Sequence, residues 1–159
     1  FNDIGVVLDR FDSAFDRDFY RRHGLCATTY FSAKRFGKDV VVNHPFTNYY
    51  NFIEGLPGQQ LSDEEAVSES PLSPSGKAQL LQALKAGDHL IDLPPAQRQQ
   101  YVSQENYFTY LREVVGIDDE DVLHIARHSV SDWSNAAAEL LTVEEARDAG
   151  ALGFKPVAG

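Results

Sequence analysis

The sequence predicts a mainly α-helical fold with one small β-hairpin, which places it in the α+β class. Three observations indicate this. Apolar residues recur at helical spacing in several segments, capping residues and glycines mark the ends of those segments, and one stretch of aromatic and β-branched residues is interrupted by a turn. With 159 residues, 43% hydrophobic and 24% charged, the chain has the composition of an ordinary globular domain.

Residues 1–42 predict a helix pair followed by the hairpin. The apolar residues between Ile4 and Phe11 share one helical face, and Asp12 or Ser13 can cap a second helix. Gly24 supplies the left-handed conformation that commonly ends a helix. The predicted hairpin consists of a strand over 26–32, a turn over 36–39 and a return strand over 40–42.

Residues 43–76 predict an irregular, linker-like segment, because prolines and glycines interrupt it. Within it, Ser62 and Glu65 have the spacing of a capping box for one short helical turn. The stretch 68–76 resembles a linker, and its Pro74 suits the first position of a following helix.

Residues 77–159 predict a helical region. The clearest apolar stripe extends from Tyr107 to Val115 and ends at Gly116. Asp118 is expected to cap the next helix, and Thr142 forms a second capping box with the glutamate three residues later. Val122, Ile125, Ala126 and Trp133 are expected to mark the buried side of the helix that Asp118 caps. Two other helices are expected, one around Leu80, Leu81 and Leu84 and one from Leu93–Pro95 to about Gln104. We expect the three segments to form one compact domain.

Composition argues against several classes of partner. The net charge is −10, whereas nucleic acids and anionic membranes attract basic surfaces. No apolar run reaches the roughly 18–20 residues that a membrane-spanning helix requires. The single cysteine, Cys26, excludes an intrachain disulfide and a cysteine metal site.

Motifs for chemistry are incomplete in this chain. His124 and His128 lie four residues apart, but the segment lacks the glutamate of the HExxH zinc motif and a third ligand. Pocket-lining or surface histidines are therefore the better interpretation. The sequence contains no GxSxG elbow and no phosphate-binding GxGxxG or GxxxxGKS/T loop. We therefore assign no catalytic, cofactor-binding or metal-binding residue.

Four segments nevertheless resemble a known family, both in their sequences and in their order along the chain. They are FDRDFYRRHGL at 15–25, YFSAKRFGKDVVV at 30–42, NYFTYLREVVGIDDEDVL at 106–123 and AAAELLTVEEARDAGALGF at 136–154. Together they resemble the internal, substrate-side region of spermidine-dehydrogenase-like FAD-dependent amine oxidases and dehydrogenases. The resemblance covers roughly residues 3–42 and 101–157. After His128 the chain departs from it, because SVSDWSNAAAE stands where the family has a glycine-rich loop near the substrate side.

The resemblance implies a cap region of a two-domain flavoprotein that acts on an amine or polyamine by hydride transfer to flavin. FAD would bind mainly outside this chain, on an FAD-binding domain or subunit of the same enzyme, and the isolated chain would be inactive. Aromatic rings favour cations, so loop and helix-end aromatics are candidate pocket residues. The predicted substrate-pocket residues are Tyr49, Tyr50, His128 and Trp133.

The chain begins at Phe1 and contains no methionine, so we expect it to be a piece of a longer protein or a processed subunit. The alternative hypothesis is a stand-alone acidic helical module that binds a protein partner and has no catalytic activity. A piece of a flavoprotein should expose apolar surface where its partner domain docks, and a self-standing module should not.

Overall fold

The computed structural model describes residues 4–5, 10, 14, 16, 18–47, 61–85, 87, 89–90, 93–130 and 138–154. In these residues the fold is mainly helical with one antiparallel two-stranded hairpin, which confirms the predicted fold class. The strands are β1 (Thr29–Phe31) and β2 (Val40–Val42). The helices are α1 (Phe19–Arg22), α2 (Ala33–Phe36), α3 (Asp63–Glu69), α4 (Pro74–Leu84), α5 (Pro95–Gln104), α6 (Tyr107–Tyr110), α7 (Glu120–His128) and α8 (Val143–Asp148).

The hairpin has one buried and one exposed face. Tyr30 pairs with Val41 across the strands, and both side chains point outward, while Phe31 and Val42 are buried. The predicted strand over 26–32 was too long, because β1 covers only Thr29–Phe31. The predicted connection was wrong because it contained only a turn over 36–39. The helical turn α2 lies between the strands, and Gly37 then ends it in the left-handed conformation. Asp39 stabilises this connection by accepting hydrogen bonds from Tyr30 and from the backbone of Ala33.

The core centres on the predicted stripe from Tyr107 to Val115. Its first turn is α6, and residues Leu111–Val115 continue it as a π-helical turn. The N–H groups of Gly116 and Ile117 both donate to the carbonyl of Leu111, and Gly116 has a φ of 81°, as the predicted helix end requires.

The C-terminal hook, residues 149–154, closes this core. The Tyr107 hydroxyl donates to the carbonyl of Leu152 at 2.8 Å, and the Tyr110 hydroxyl donates to the carbonyl of Gly153 at 2.9 Å. The ring of Phe154 stacks on that of Tyr110 with centroids 5.0 Å apart. Two buried phenols are thereby provided with acceptors, which removes most of the cost of burying them.

Local capping signals place most helix starts correctly. Both predicted capping boxes, Ser62 with Glu65 and Thr142 with Glu145, are present. Asp118 was the wrong cap for α7, because the side chain of Asp119 accepts from the backbone of Asp121 and Val122.

The side chain of Gln79 on α4 explains the displacement of this cap. Its amide oxygen accepts from the backbone N–H groups of Asp118 and Asp119 at 2.9 and 2.8 Å. Its amide nitrogen donates to the carboxylate of Asp118 at 2.5 Å. Asp118 is thus held by α4, and the next residue caps the helix.

The linker-like stretch 68–76 instead contains the end of α3, a tight connection over 70–73 and the first residues of α4. Ser70 and Leu72 within it are buried, Ser73 caps α4, and Pro74 stands at its first turn as predicted. Buried apolar residues from segments 1–42, 43–76 and 77–159 belong to one cluster. The described helices include none that is long and apolar enough to cross a membrane. The predicted helix over 4–11 lies mostly outside the described residues.

Candidate functional site

The N-terminal hairpin and helix α7, which are far apart in sequence, meet at one junction. The guanidinium of Arg35 forms an ion pair with Asp121 at 2.9 Å and donates to the carbonyl of Glu120 at 3.1 Å. Beside it, the ring of Phe36 lies against that of His124, with centroids 6.3 Å apart. The helical turn α2 therefore docks on the first turn of α7 through one charged and one aromatic contact.

Two histidines continue this junction along α7. His124 and His128 are four residues apart, so they lie on the same side of the helix. Their rings meet edge to face with centroids 4.4 Å apart. His124 is half-buried and His128 is exposed, whereas Val122 and Ile125 point into the core. We call the surface formed by Arg35, Phe36, Asp121, His124 and His128 the histidine face.

The histidine face holds one imidazole in its neutral form. Partial burial lowers the pKa of His124 below its ordinary value, and the nearby charges of Arg35, His128 and Arg127 lower it further, while Asp121 acts in the opposite direction. A neutral imidazole has one nitrogen that accepts a hydrogen bond and one that donates. His124 can therefore accept a hydrogen bond from an ammonium group at neutral pH.

The far end of α7 is fixed by Arg127. Its guanidinium forms an ion pair with Glu139 and lies over the ring of Phe108, 5.5 Å from the centroid. The guanidinium of Arg112 lies over the same ring at 6.0 Å. These contacts hold the last turn of α7, and with it His128, against α6.

Of the predicted pocket residues, the structure describes only His128, which lies on the histidine face. Tyr49, Tyr50 and Trp133 lie outside the described residues, so their shared pocket stays a prediction. The described residues just before Tyr49 and Tyr50 nevertheless lie close to those just before Trp133. The Thr47 hydroxyl lies 3.4 Å from the carbonyl oxygen of Ser129, one residue after His128, and also donates to Gly150 at 3.1 Å.

A buried histidine to which the sequence assigned no role stabilises this region. His44 is fully buried, its Nδ1 accepts from the backbone N–H of Phe46 at 2.9 Å, and its Nε2 lies 3.0 Å from the carboxylate of Asp63. Because Nδ1 accepts, Nε2 carries the proton and donates to Asp63. His44 thus ties the exit of β2 to the start of α3. Nothing in the local sequence indicates this pairing.

The sequence predicted His124 only as a surface or pocket-lining histidine and did not include it among the four named pocket residues. Its spacing was visible in the sequence, but its contact with Phe36 across 88 positions was not. Among the described residues, no group of three or more His, Cys, Asp or Glu side chains is arranged to hold a metal ion.

The described residues do not fit the pyrophosphate of FAD. A pyrophosphate site needs a glycine-rich turn that leads from a strand into a helix N-terminus. Among the positive-φ glycines, Gly24, Gly37, Gly116 and Gly150 instead follow the ends of helical segments. Neither the protein-family models nor the curated proteins compared with this chain give a match.

Proposed function

We propose that this chain forms the substrate-side cap region of an FAD-dependent amine oxidoreductase acting on an amine or polyamine. The observation that carries the proposal is the contact between its resembling segments. The segments at 30–42 and 106–123 are separated by more than sixty residues, and the ion pair between Arg35 and Asp121 joins them directly. Segments that resemble the same family in the same order thus contribute to one surface, the histidine face.

The chemistry of the histidine face suits an amine. The neutral ring of His124 can accept a hydrogen bond from nitrogen, and the exposed ring of His128 stands beside it. The charges around it are balanced, because Arg35 is paired with Asp121 and Arg127 with Glu139. We therefore add His124 to the predicted pocket residues Tyr49, Tyr50, His128 and Trp133.

Exposed apolar surface favours this proposal over a self-standing interaction module. Tyr30 and Val41 are neighbours on the outward face of the hairpin, and each side chain is 61% exposed. A face of this kind is expected where a second domain or subunit docks. The flavin would be bound by that partner.

The test is purification of the protein from its natural source, followed by mass spectrometry and absorbance spectroscopy. We expect flavin absorbance in a longer chain or in a co-purifying subunit, bleaching of that absorbance by an amine, and no flavin on the separated 159-residue chain. A natural protein of this length that is isolated without flavin would refute the proposal and favour the protein-interaction module.

Variants of the flavin-bearing protein test the histidine face. We expect His124→Gln and His128→Gln each to raise KM for the amine by about two- to tenfold, the effect of losing one hydrogen bond. His23→Gln is the matched control, since His23 is exposed and caps the C-terminal end of α1, away from this face. Unchanged KM in both histidine-face variants would remove these residues from the site.

A further inference from the structure

Helix α7 presents two imidazole rings on one side. His124 and His128 are four residues apart, the spacing at which the two histidines of helical zinc motifs bind a single ion. Their ring centroids are 4.4 Å apart. Two imidazoles that share one ion, with metal–nitrogen bonds of about 2.0–2.1 Å, have centroids roughly 4–5 Å apart. The two rings are therefore already as close as a shared ion requires.

One adjustment is needed before both rings can bind the same ion. The ring planes are inclined by 73° and meet edge to face, so one ring must turn to direct its nitrogen towards the ion. His128 is exposed and can make this turn, whereas His124 is half-buried and its ring lies against that of Phe36. His124 is thus the fixed ligand, and His128 is the ligand that closes on the ion.

The charges around the two rings leave room for a cation. The guanidiniums of Arg35 and Arg127 oppose a bound cation, but each is paired with a carboxylate, Arg35 with Asp121 and Arg127 with Glu139. The whole chain has a net charge of −10. The same ion pairs hold the first and last turns of α7, so the two histidines are carried on a fixed helix.

We propose that His124 and His128 together bind one divalent transition-metal ion of the kind that prefers nitrogen ligands, with water in its remaining positions. Imidazole suits Cu²⁺, Ni²⁺ and Zn²⁺, whereas Mg²⁺ prefers oxygen ligands. A structural or catalytic zinc centre has three or four protein ligands, and no such group occurs among the residues that the structure describes. The site is therefore an open chelate at the surface, and the fold does not depend on the ion.

The probe is Ni²⁺, added at neutral pH to the untagged 159-residue chain and followed by isothermal titration calorimetry, with Mg²⁺ as the control ion. We expect saturable binding of Ni²⁺ and no binding of Mg²⁺. Ni²⁺ should also raise the Tm, because the two rings converge only in the folded helix. Under the proposed function the ion would exclude an amine from these rings, but no flavin is present in this experiment and its result does not depend on that function.

Variants test whether the two rings act as one site. His124→Gln and His128→Gln should each weaken Ni²⁺ binding at least about tenfold, because the second ring binds as an intramolecular ligand. The double variant should lose little more than either single variant, since one missing ring already abolishes the chelate. His23→Gln and His89→Gln, which alter exposed histidines on other segments, should leave the affinity unchanged. Circular dichroism checks that each variant keeps its fold.

Three outcomes would overturn the proposal. The first is the absence of saturable Ni²⁺ binding to the unaltered chain. The second is an unchanged affinity in either His124→Gln or His128→Gln. The third is a loss in His23→Gln or His89→Gln as large as that in the two chelate variants, which would show that single imidazoles bind the ion independently.

Discussion

The close approach of Gly153 to Leu111 allows a double-mutant cycle whose outcome can be worked from the structure. A Cβ added at Gly153 would lie 2.8 Å from Cδ2 of Leu111, and Gly153 has a φ of 92°. We expect Gly153→Ala to destabilise the fold by about 1–2 kcal/mol through backbone strain, and by about 1–3 kcal/mol more through overpacking.

Leu111→Ala is the second variant of the cycle, because it removes the Cδ2 atom that the added methyl group would contact. Leu111 is 1% exposed, so Leu111→Ala alone should cost about 2–5 kcal/mol. In the double variant Cδ2 is absent and the added methyl group enters the space it leaves. The double variant should therefore be more stable than the sum of the two single effects predicts, by about 1–3 kcal/mol.

Free energies of unfolding from urea titration measure this cycle, and Gly37→Ala is its matched control. Gly37 has a φ of 78°, and nothing lies within 4 Å of a Cβ built there, so its substitution reports backbone strain alone. Two results would refute the reasoning. They are single effects that add within about 0.5 kcal/mol, and a cost for Gly153→Ala no larger than that for Gly37→Ala. A cost below ~0.5 kcal/mol for Leu111→Ala would also show that the side chain of Leu111 faces the solvent instead of the core.

Three further predictions concern helix ends and pH. Gln79→Ala should destabilise the fold by about 0.5–1.5 kcal/mol, because two backbone donors at the start of α7 lose their protein acceptor. Calorimetry should show a lowered Tm, and an unchanged Tm would contradict the contact. Thr142→Ala should lower the free energy of unfolding in urea by about 0.5–2 kcal/mol, because it removes the capping box. Exposed Ser103→Ala is the control, and an equal loss in both variants would contradict the prediction. The pKa of His124 is lowered in the folded state, so the unfolded state binds the proton first and the stability of the fold should decrease as pH drops below about 6.5. His124→Gln should remove that part of the pH dependence. An unaltered pH profile of stability in this variant would contradict the lowered pKa.

The fold was predictable wherever its signals are local. A capping box needs two residues three positions apart, and both boxes were found at Ser62 and Thr142. The left-handed helix ends at Gly24 and Gly116 were likewise predictable, because glycine adopts positive φ with little strain. The apolar stripe beginning at Tyr107 was confirmed as core, since its helical period is visible in sequence.

Features that depend on distant contacts were not predictable. The displaced cap of α7 requires Gln79, which lies forty positions before Asp119. The burial of Leu72 required knowing that α3 and α4 pack together across a short connection. In the candidate site, the i,i+4 spacing of His124 and His128 was visible, but the contact that Arg35 makes across the junction has no local signal.

The C-terminal hook determines when the core can be completed during protein synthesis. A ribosome delivers the chain from its N-terminus, so α6 emerges long before residues 149–154 do. Until those residues emerge, the hydroxyls of Tyr107 and Tyr110 lack their acceptor carbonyls, and the ring of Phe154 cannot stack on Tyr110. Contacts separated by more than forty positions also form slowly, because a long loop must close first. A nascent chain that stops before Leu152 therefore keeps two core tyrosines accessible to chaperones and proteases, and the emergence of residues 152–154 closes that window.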